Sequence, residues 1–561
     1  MTRLLSYKEA NEEMETSCHS DERSSIVPRR KNDREKSEGD HLLSGSLDDV
    51  LTWLGWMGPY QRIQCLLLML PVIDSALHSI SFIFIGKFVE HKCAPLKEWI
   101  SADNFSYPLA SSNYTSYKQS SKIAVFAESC FVKVTNNSEE IFAGECPNGY
   151  VYSEPRDRSF VSEWDLVCDE EALSDTSQTV MAVGSMLGAF IFTAMADKLG
   201  RKPVYVVSHI LLLVVAAATA FSPDFLTFMV FRFLLGALQQ GVNLTSWILM
   251  IELIPALKRE WPPRVSNFVW PSGLLLLGLI CYLCREMSWR HTQLVLAAFS
   301  WYSLTDIPLE KGDSDKSVSA QEPEDDPGLT AFLKNKRILL ITVIICYIWL
   351  ADSLSYVILI ITSDSLTGDF YLGYSLSIFV ELPAACFFSA FVSRVKRRTW
   401  ILTAHLIAGV SLVLAVVLGN VPQAAKLPGM GVIVLIMSLL AKFGTSVGFN
   451  ILWLYTPELY PTTIRTTGLG LASLVSKLAG MAAPYARTLN RHYPWAPGAI
   501  LSGLCLIVPL LLQLMPETHG RDLPQTVADM EMWLSEKPKK RYERMMEREG
   551  IENQAFQEVK F

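Results

Sequence analysis

The sequence predicts an all-α membrane protein whose twelve transmembrane helices form two bundles of six. Half of the 561 residues are hydrophobic and 19% are charged, a composition typical of membrane proteins at this length. Apolar runs of about twenty residues, each long enough to cross a bilayer, recur along the chain. Basic turns join two pairs of these runs, and such turns favour the cytosolic side.

Eleven apolar runs predict spans, and a weaker run at 291–308 supplies a twelfth. We include it because twelve spans place the basic turns and both tails in the cytosol, whereas eleven would invert the second half. The other predicted spans are 64–86, 178–196, 203–221, 226–246, 265–284, 338–361, 371–392, 399–419, 429–450, 466–487 and 495–515.

The two basic turns lie at matching points of the two halves, which indicates an internal duplication. The first is Asp197-Lys198-Leu199-Gly200-Arg201-Lys202, in which Gly200 permits a sharp reversal. The second is Ser393-Arg394-Val395-Lys396-Arg397-Arg398, which keeps the positive charge but has neither the Asp nor the Gly.

The remaining polar stretches predict how the chain is divided. The segment at 309–337 is rich in Asp, Ser, Glu and Pro, which is typical of a flexible linker. The polar residues at 1–62 contain no cleavable signal peptide. We expect a cytosolic tail at 1–62, a first bundle at 63–308 with an extracellular loop at 88–176, a cytosolic linker at 309–337, a second bundle at 338–516 and a cytosolic tail at 517–561.

The loop at 88–176, called the ectodomain below, is expected to be glycosylated and oxidised. Three sequons at Asn104, Asn113 and Asn136 are potential N-glycosylation sites. An even number of cysteines in one loop predicts disulfides, and the sequence leaves three pairings open. These cysteines are Cys93, Cys130, Cys146 and Cys168.

Several ionisable side chains lie inside predicted spans. A charge in a bilayer is costly, so such residues commonly face a water-filled cavity and mark a binding site. The alternative is that they neutralise one another in structural pairs. The acids are Asp74, Asp352 and Glu381, and the bases are Lys442 and Lys477.

Asp352 lies between two aromatic residues on one predicted helix. Trp349 and Tyr356 can share a helix face with it, and a carboxylate beside aromatic rings suits a quaternary ammonium group. The open alternative is a structural pair of Asp352 with Lys442 or Lys477.

Lys477 and Glu381 also have two interpretations each. Lys477 can anchor a substrate carboxylate as a compact cation, or it can snorkel or pair. Glu381, two residues before Pro383, can bind a cation or hold the kink that the proline makes. An acid and a base in one cavity would suit a zwitterion such as a betaine.

No pattern in the sequence predicts an enzyme. We find no phosphate-binding loop, no nucleophile motif in a suitable context and no metal-ligand spacing of His and Cys, so no cofactor or metal is expected. Cys281 and Cys284 form a CxxC pair at the end of a span, but two cysteines without further ligands are a weak metal or redox signal.

Six motifs, taken together and in order, resemble a known family. The chain is similar to the organic cation, organic anion and carnitine transporters of the major facilitator superfamily over nearly everything from Leu47 to Thr526. The motifs are Ser162-Glu-Trp-Asp-Leu-Val-Cys-Asp169, Asp197–Lys202, Arg232-Phe-Leu-Leu-Gly236, Glu381-Leu-Pro-Ala384, Tyr455-Thr-Pro-Glu-Leu-Tyr-Pro461 with Arg465, and Pro516-Glu-Thr-His-Gly-Arg521.

The resemblance implies the major facilitator fold, in which a substrate cavity between two six-helix bundles opens alternately to each side. It implies transport of small amphiphilic ions without chemical catalysis. Three details resemble the carnitine branch: Gln239 follows Arg232 by seven residues with Asn243 nearby, the second turn is dibasic, and the eleventh span carries the base Lys477. Gln239 and Asn243 are therefore expected to line the cavity.

The resemblance also suggests that charges at the cytosolic span ends lock and release the two halves. Static anchoring of the loops is the alternative. The expected gating residues are Asp197, Arg201, Glu252, Arg259, Glu458 and Arg465.

The chain departs from the family pattern in three places. Thr193 replaces a glycine and Lys198 an arginine of the first turn motif. The Pro-Glu-Ser-Pro-Arg-Trp-Leu signature expected after the sixth span is missing, which leaves a shortened gene model or real divergence open.

We expect a polyspecific, multi-pass plasma-membrane carrier of organic cations or zwitterions, with carnitine-like compounds favoured. An organic anion carrier of the same family is the first alternative, and a transport-inactive receptor or scaffold is the second. The expected partners are a small organic ion and the bilayer, with no nucleic acid. The sequence leaves open the oligomeric state and the choice among sodium, proton and exchange coupling.

Overall fold

A computed structural model describes most of the hydrophobic part of the chain and much of the ectodomain. The described residues are 58–94, 115–120, 123–127, 129–136, 139–254, 261–304, 335–363, 367–420, 429–461, 464–519, 524 and 530. The sequons at Asn104 and Asn113, residues 309–334 of the predicted linker and Arg259 lie outside them, and of Asn136 only the backbone is described.

Six long helices build the first half. Helix α1 packs against α4, α5 and α6, whereas α4 also packs against α2 and α3. Their bounds are α1 Pro59–Ile80, α2 Glu171–Leu199, α3 Arg201–Thr219, α4 Phe225–Glu252, α5 Trp261–Leu283 and α6 Trp289–Leu304.

Six further helices build the second half. Helix α7 packs against α10, α11 and α12, and α9 packs against α10 and α12. Their bounds are α7 Lys336–Ile361, α8 Phe370–Phe391, α9 Arg397–Asn420, α10 Met430–Leu459, α11 Arg465–Ala482 and α12 Ala496–Leu511.

Ten helices of the described chain are long and apolar enough to cross a membrane. The two that fall short are α6, with 16 residues, and α11, with 18 residues and a more polar composition. The prediction of a helical membrane protein with a weak sixth helix is therefore confirmed.

Glycines allow α2 and α4 to approach closely. A Cβ atom on Gly184 would lie 2.1 Å from the backbone oxygen of Phe233, and one on Gly236 would lie 2.1 Å from the backbone oxygen of Met181. Since a side chain at either position would collide with backbone, the glycine of the Arg232–Gly236 motif has a packing role.

The ectodomain differs from the helical prediction because it contains β-structure. Strands β2 to β5 form an antiparallel sheet in sequence order, and β1 pairs antiparallel with β6. The strands are β1 His91–Cys93, β2 Thr115–Ser120, β3 Ile123–Ala127, β4 Val132–Asn136, β5 Glu139–Gly144 and β6 Tyr150–Tyr152.

Two disulfides cross-link the ectodomain. Cys93 is bonded to Cys146, and Cys130 is bonded to Cys168. The second bond joins the sheet to the start of the first helix that follows the ectodomain. Of the three pairings that the sequence left open, this one is adopted.

The Ser162–Asp169 motif anchors the ectodomain to the first half. Glu163 forms an ion pair of 2.8 Å with Arg290 and accepts a hydrogen bond from the indole of Trp289. Arg290 also donates to the carbonyl oxygens of Ala220 and Ser222, at 2.8 and 2.7 Å. The motif therefore joins the ectodomain to the first residues of α6 and, through Arg290, to the loop that precedes α4.

Tyr152 reinforces this anchor from β6. Its hydroxyl donates to the Oδ1 atom of Asp165 at 2.9 Å. Burial and this hydrogen bond raise the pKa of the Tyr152 phenol, so the donor remains protonated at neutral pH.

The two halves meet along two pairs of helices. Helix α2 packs against α11, and α5 packs against α8. Within the described residues, these two seams bring polar residues from different halves close together.

Candidate functional site

Glu381 and Lys442 form a buried ion pair inside the second half. The Lys442 ammonium lies 2.9 Å from Oε1 of Glu381, and the two side chains are 1% and 6% exposed. The ammonium also lies 3.6 Å from the centroid of the Tyr356 ring. Lys442 therefore occupies the cation–π position beside Tyr356 that the sequence suggested for a substrate.

Tyr356 links this pair to the first half. Its hydroxyl donates to Oε2 of Glu381 at 2.9 Å and accepts from the indole of Trp270, on α5, at 2.8 Å. A hydrogen-bond chain therefore crosses the α5–α8 seam and ends on the Glu381 carboxylate.

Asp352 pairs with a histidine that sequence reasoning missed. Nε2 of His405, on α9, lies 3.3 Å from Oδ1 of Asp352, and both side chains are essentially fully buried. The structural pair of Asp352 with Lys442 or Lys477 is therefore not formed. The signal that could have revealed His405 is a histidine within a span, eight residues after Arg397, since His209 follows Arg201 by the same distance.

Asp74 occupies the corresponding place in the first half, but its partners differ. Ser300 donates to Oδ1 of Asp74 at 2.6 Å, and Nε2 of His78 lies 3.6 Å from the same oxygen. All three residues are buried. Asp74 therefore lies among α1 and α6 side chains, inside the first half.

The polar residues of α4 hold α1 in place. Gln239 donates to the carbonyl oxygen of Ser75 at 2.9 Å, and Asn243 donates to the Ser75 hydroxyl at 2.8 Å. Arg232 is fully buried and donates to Oε1 of Gln178 at 2.5 Å. Its Nε and Nη1 atoms have no hydrogen-bond partner in the described part of the chain.

Lys477 lies at the seam between the halves. Its ammonium donates to Oε1 of Gln240, on α4, at 3.4 Å. Lys477 is partly buried and, among the described residues, has no carboxylate within ion-pair distance. Among the five ionisable residues predicted within spans, it is the one without an acidic or basic partner.

Aromatic rings cluster on α7 and α10, two helices that pack against the helix of Lys477, α11. Phe449 stacks on Tyr356 at 5.6 Å between centroids, and Trp349 contacts Trp453 edge-on at 5.0 Å. A hydrogen bond of 2.6 Å between Ser353 and Ser476 holds α7 against α11. Trp453 is 47% exposed, so part of its ring surface is left uncovered by these contacts.

Polar contacts join the halves on the ectodomain side. Thr488 donates to Oδ2 of Asp175 at 2.7 Å, and Arg491 forms an ion pair with Glu171. Thr179 donates to the carbonyl oxygen of Met481 at 2.8 Å. The start of α2 is therefore fastened to the end of α11 on this side.

The predicted gating residues lie at the opposite ends of the helices and are not all joined to one another. Asp197 is exposed, and its carboxylate contacts no polar partner within the described ranges. Glu458 pairs with Arg397 at 3.3 Å and accepts from Thr518 at 2.6 Å, so its partners belong to its own half. Asp197 lies in the last turn of α2, and α3 begins at Arg201.

Of the remaining gating candidates, Arg465 contacts a residue close to it in the sequence. Arg465 donates to the carbonyl oxygen of Tyr460 at 3.2 Å. Glu252 ends α4, with only its backbone described, and Arg259 lies outside the described residues. Glu517, of the last motif, accepts from the backbone nitrogens of Arg397 and Arg398 and so caps α9.

Two six-helix halves that meet around a buried polar seam define a membrane transporter. A family model for the major facilitator superfamily matches residues 173–484. The chain belongs to this superfamily, and the sequence resemblance to its organic cation and anion transporters is confirmed. Members of this family are solute carriers, so the chain is a multi-pass membrane protein and not an enzyme.

Curated relatives match nearly the whole chain. "Solute carrier family 22 member 6" of Bos taurus is 27% identical over 92% of this chain and 100% of its own length. "Organic cation transporter protein" of Drosophila melanogaster is 26% identical over 86% and 94%. "Organic anion transporter 3" of Mus musculus is 26% identical over 89% and 97%.

A solved structure shares the fold. The inward-open conformation of the xylose transporter XylE from E. coli superposes with a TM-score of 0.54 and 13% sequence identity, covering 84% of this chain and 99% of that one. At this identity the similarity concerns the fold alone.

Proposed function

We propose that this protein is a plasma-membrane secondary transporter of small organic anions that carry an aromatic group. The observation that carries the proposal is the charge balance at the seam. Lys477 is a partly buried cation without a carboxylate partner among the described residues, and its helix α11 packs against α10, which carries the exposed ring of Trp453. This balance favours anions over the cations that the sequence alone favoured.

The intramembrane acids support the same choice. A substrate cation would have to displace Lys442 from Glu381 or His405 from Asp352, and each displacement leaves a buried charge uncompensated. Asp74 is engaged by Ser300 inside the first half. A substrate anion at Lys477 would displace only the long hydrogen bond to Gln240.

The contacts on the ectodomain side support alternating access. They hold the ends of α2 and α11 together, whereas Asp197 and Glu458 on the other side form no contact with each other in the described chain. This arrangement corresponds to a state closed towards the ectodomain. Transport would require these contacts to break while the opposite ends close.

Uptake assays in oocytes with three labelled probes test the proposal. We expect uptake of an aromatic sulfonate, naphthalene-2-sulfonate, to exceed that of tetraethylammonium and carnitine. Lys477→Gln should weaken sulfonate uptake about tenfold, the scale expected for losing a hydrogen bond to a charged group. Lys477→Arg should retain most uptake, because the charge is kept.

Lys396→Gln is the matched control, since this lysine is exposed in the second basic turn. Surface labelling corrects each rate for the amount of protein in the plasma membrane. Sulfonate uptake that is unaffected by Lys477→Gln would contradict the proposed site. A lack of uptake of all three probes, with protein at the surface, would contradict transport and favour the receptor or scaffold function.

A zwitterion is the second candidate. The exposed ring of Trp453 could take a quaternary ammonium while Lys477 takes a carboxylate. Carnitine uptake that exceeds sulfonate uptake and falls in both Lys477→Gln and Trp453→Leu would favour this candidate.

A further inference from the structure

Buried acid and histidine residues occur at matching positions of the two halves. Asp74 lies in α1 and Asp352 in α7, the first long helix of each half. His209 follows Arg201 at the start of α3 by eight residues, and His405 follows Arg397 at the start of α9 by eight residues. The duplication that the turns indicated therefore extends to ionisable groups in the interior.

The pair in the second half has unusually few hydrogen bonds. The Asp352 side chain is 0% exposed, and within the described chain no donor other than His405 serves its carboxylate. Nε2 of His405 lies 3.3 Å from Oδ1 of Asp352. Gly448 covers the pair from α10, where an added Cβ would lie 3.1 Å from Oδ1 of Asp352.

The other nitrogen of His405 determines how many protons the pair holds. Nδ1 lies 2.8 Å from the carbonyl oxygen of Ile401. A carbonyl only accepts, so Nδ1 must carry a proton. Nε2 then either carries a second proton and faces a carboxylate, or is a bare acceptor that faces a protonated carboxyl group.

In both arrangements one proton lies between Asp352 and His405. Without it, a buried carboxylate would face the lone pair of Nε2 and have no donor, which is strongly unfavourable at a site away from water. The pair is therefore neutral when closed, and it can lose the proton only when water or a charge reaches it.

The surrounding titratable groups have partners of their own or lie beyond ion-pair distance of Asp352. Lys442 is paired with Glu381, and Cys505 of α12 contacts Ser355 at 3.5 Å. Lys477 contacts Gln240. Besides Asp352, the titratable residues of α7, of α9 and of the elements packed against α7 are Lys336, Arg337, Cys346, Tyr347 and Tyr356 on α7, Tyr371, Tyr374, Glu381 and Cys386 on α8, Arg397, Arg398 and His405 on α9, Lys442, Tyr455 and Glu458 on α10, Arg465 and Lys477 on α11, Cys505 on α12, and Tyr485, Arg487, Arg491 and His492 in the segment after α11.

Asp74 differs from Asp352 because a serine hydroxyl donates a hydrogen bond to its carboxylate. Ser300 donates to Oδ1 of Asp74 at 2.6 Å, so an ionised Asp74 has a hydroxyl donor in addition to His78, whose Nε2 lies 3.6 Å from the same oxygen. The matching positions in the two halves therefore have different capacities to hold a proton.

We propose that the Asp352–His405 pair is a proton-binding site and that a proton bound there moves together with the substrate. The proton comes from water on the open side, binds between Oδ1 and Nε2, and returns to water after the halves have exchanged access. No other bond forms or breaks. The proposal that this pair binds a proton does not depend on the proposed function, whereas the proposal that the proton moves with the substrate rests on it.

Proteoliposomes with full-length protein and an entrapped pH dye test the coupling. Naphthalene-2-sulfonate is the probe, because its charge does not change in the working pH range and it carries no proton itself. We expect a pH gradient to drive sulfonate accumulation and sulfonate uptake to move protons. The ratio of gradient-driven uptake to sulfonate exchange should fall about tenfold in Asp352→Asn and in His405→Gln, the scale of coupling between two sites.

His291→Gln is the control, because this histidine is exposed at the start of α6. It should keep the wild-type ratio. Exchange without gradient-driven accumulation or proton movement in the wild type would overturn the coupling and leave the proposed function standing. The absence of exchange would contradict the proposed function instead.

Infrared difference spectra of detergent-solubilised protein, recorded across pH, test proton binding without any substrate. We expect a pH-dependent carboxyl or imidazole band that is lost in both Asp352→Asn and His405→Gln and kept in His291→Gln. Wild-type spectra identical to those of both variants would overturn the proton-binding site.

Discussion

The two halves of this protein share one helical plan but neutralise their buried charges differently. In the second half, each intramembrane acid meets a base from another helix, as Glu381 meets Lys442 and Asp352 meets His405. In the first half, Asp74 relies on a serine hydroxyl, and Arg232 has an amide partner. The halves therefore correspond in the order of their helices but differ in the chemistry of their interiors.

This difference suggests a division of labour. Ion pairs between helices can be rearranged when helices move, because each partner belongs to a separate element. The hydrogen bonds of Gln239 and Asn243 hold α1 firmly against α4. We therefore expect the second half to contain the movable charges and the first half to provide a more rigid frame.

The largest effect is expected at the Glu381–Lys442 pair. Lys442→Met leaves a buried carboxylate without its cation and should destabilise the protein by about 3–5 kcal/mol. The double variant Glu381→Gln/Lys442→Met should recover most of this loss. Thermal unfolding in detergent measures both, with Lys396→Met as an exposed control, and equal stability of the single and double variants would contradict the pairing.

A smaller effect is expected at Asp74. Ser300→Ala removes the hydroxyl that donates to this buried carboxylate and should cost about 1–3 kcal/mol. Ser438→Ala is the matched control, since the Ser438 hydroxyl bonds to the Val434 carbonyl of its own helix. If Ser300→Ala were as harmless as the control, the assignment of Ser300 as the partner of Asp74 would be wrong.

The smallest effect on stability is expected at the two basic turns, where transport rates should distinguish the halves. Glu458→Gln weakens a partly buried ion pair with Arg397 and should lower stability by about 1 kcal/mol. Asp197→Asn should leave the unfolding temperature unchanged, because Asp197 is exposed and unpaired in the described chain of this state.

Asp197→Asn should nevertheless slow transport if its carboxylate engages the second half in the alternate state. Uptake corrected for surface expression measures this effect. A normal rate would remove Asp197 from the gate, whereas a shifted unfolding temperature would indicate a static role in this state.

Much of the helical framework could be predicted from the sequence. The spans, the weak sixth helix and the basic turns follow from local hydropathy and charge. The strands of the ectodomain were not predicted, because strands of three to six residues within a polar loop are recognised only when a neighbouring strand pairs with them. The disulfide pairing depended on that same sheet, which brings Cys130 near Cys168.

The candidate site was less predictable than the helices. Asp352, Glu381, Lys442 and Lys477 could be identified as costly residues in spans. Their partners could not, because His405 is 53 residues from Asp352 and Lys442 is 61 residues from Glu381. No periodicity within one helix reports which side chain of another helix it will meet.

The sequence by itself determined which segments enter the bilayer, since that cost is summed residue by residue along each helix. It also determined that charges are buried there. Only the tertiary structure decided which charges cancel and which one stays available, because that depends on how the helices cross. The cation left at the seam, Lys477, thus changed the favoured substrate from an organic cation to an organic anion.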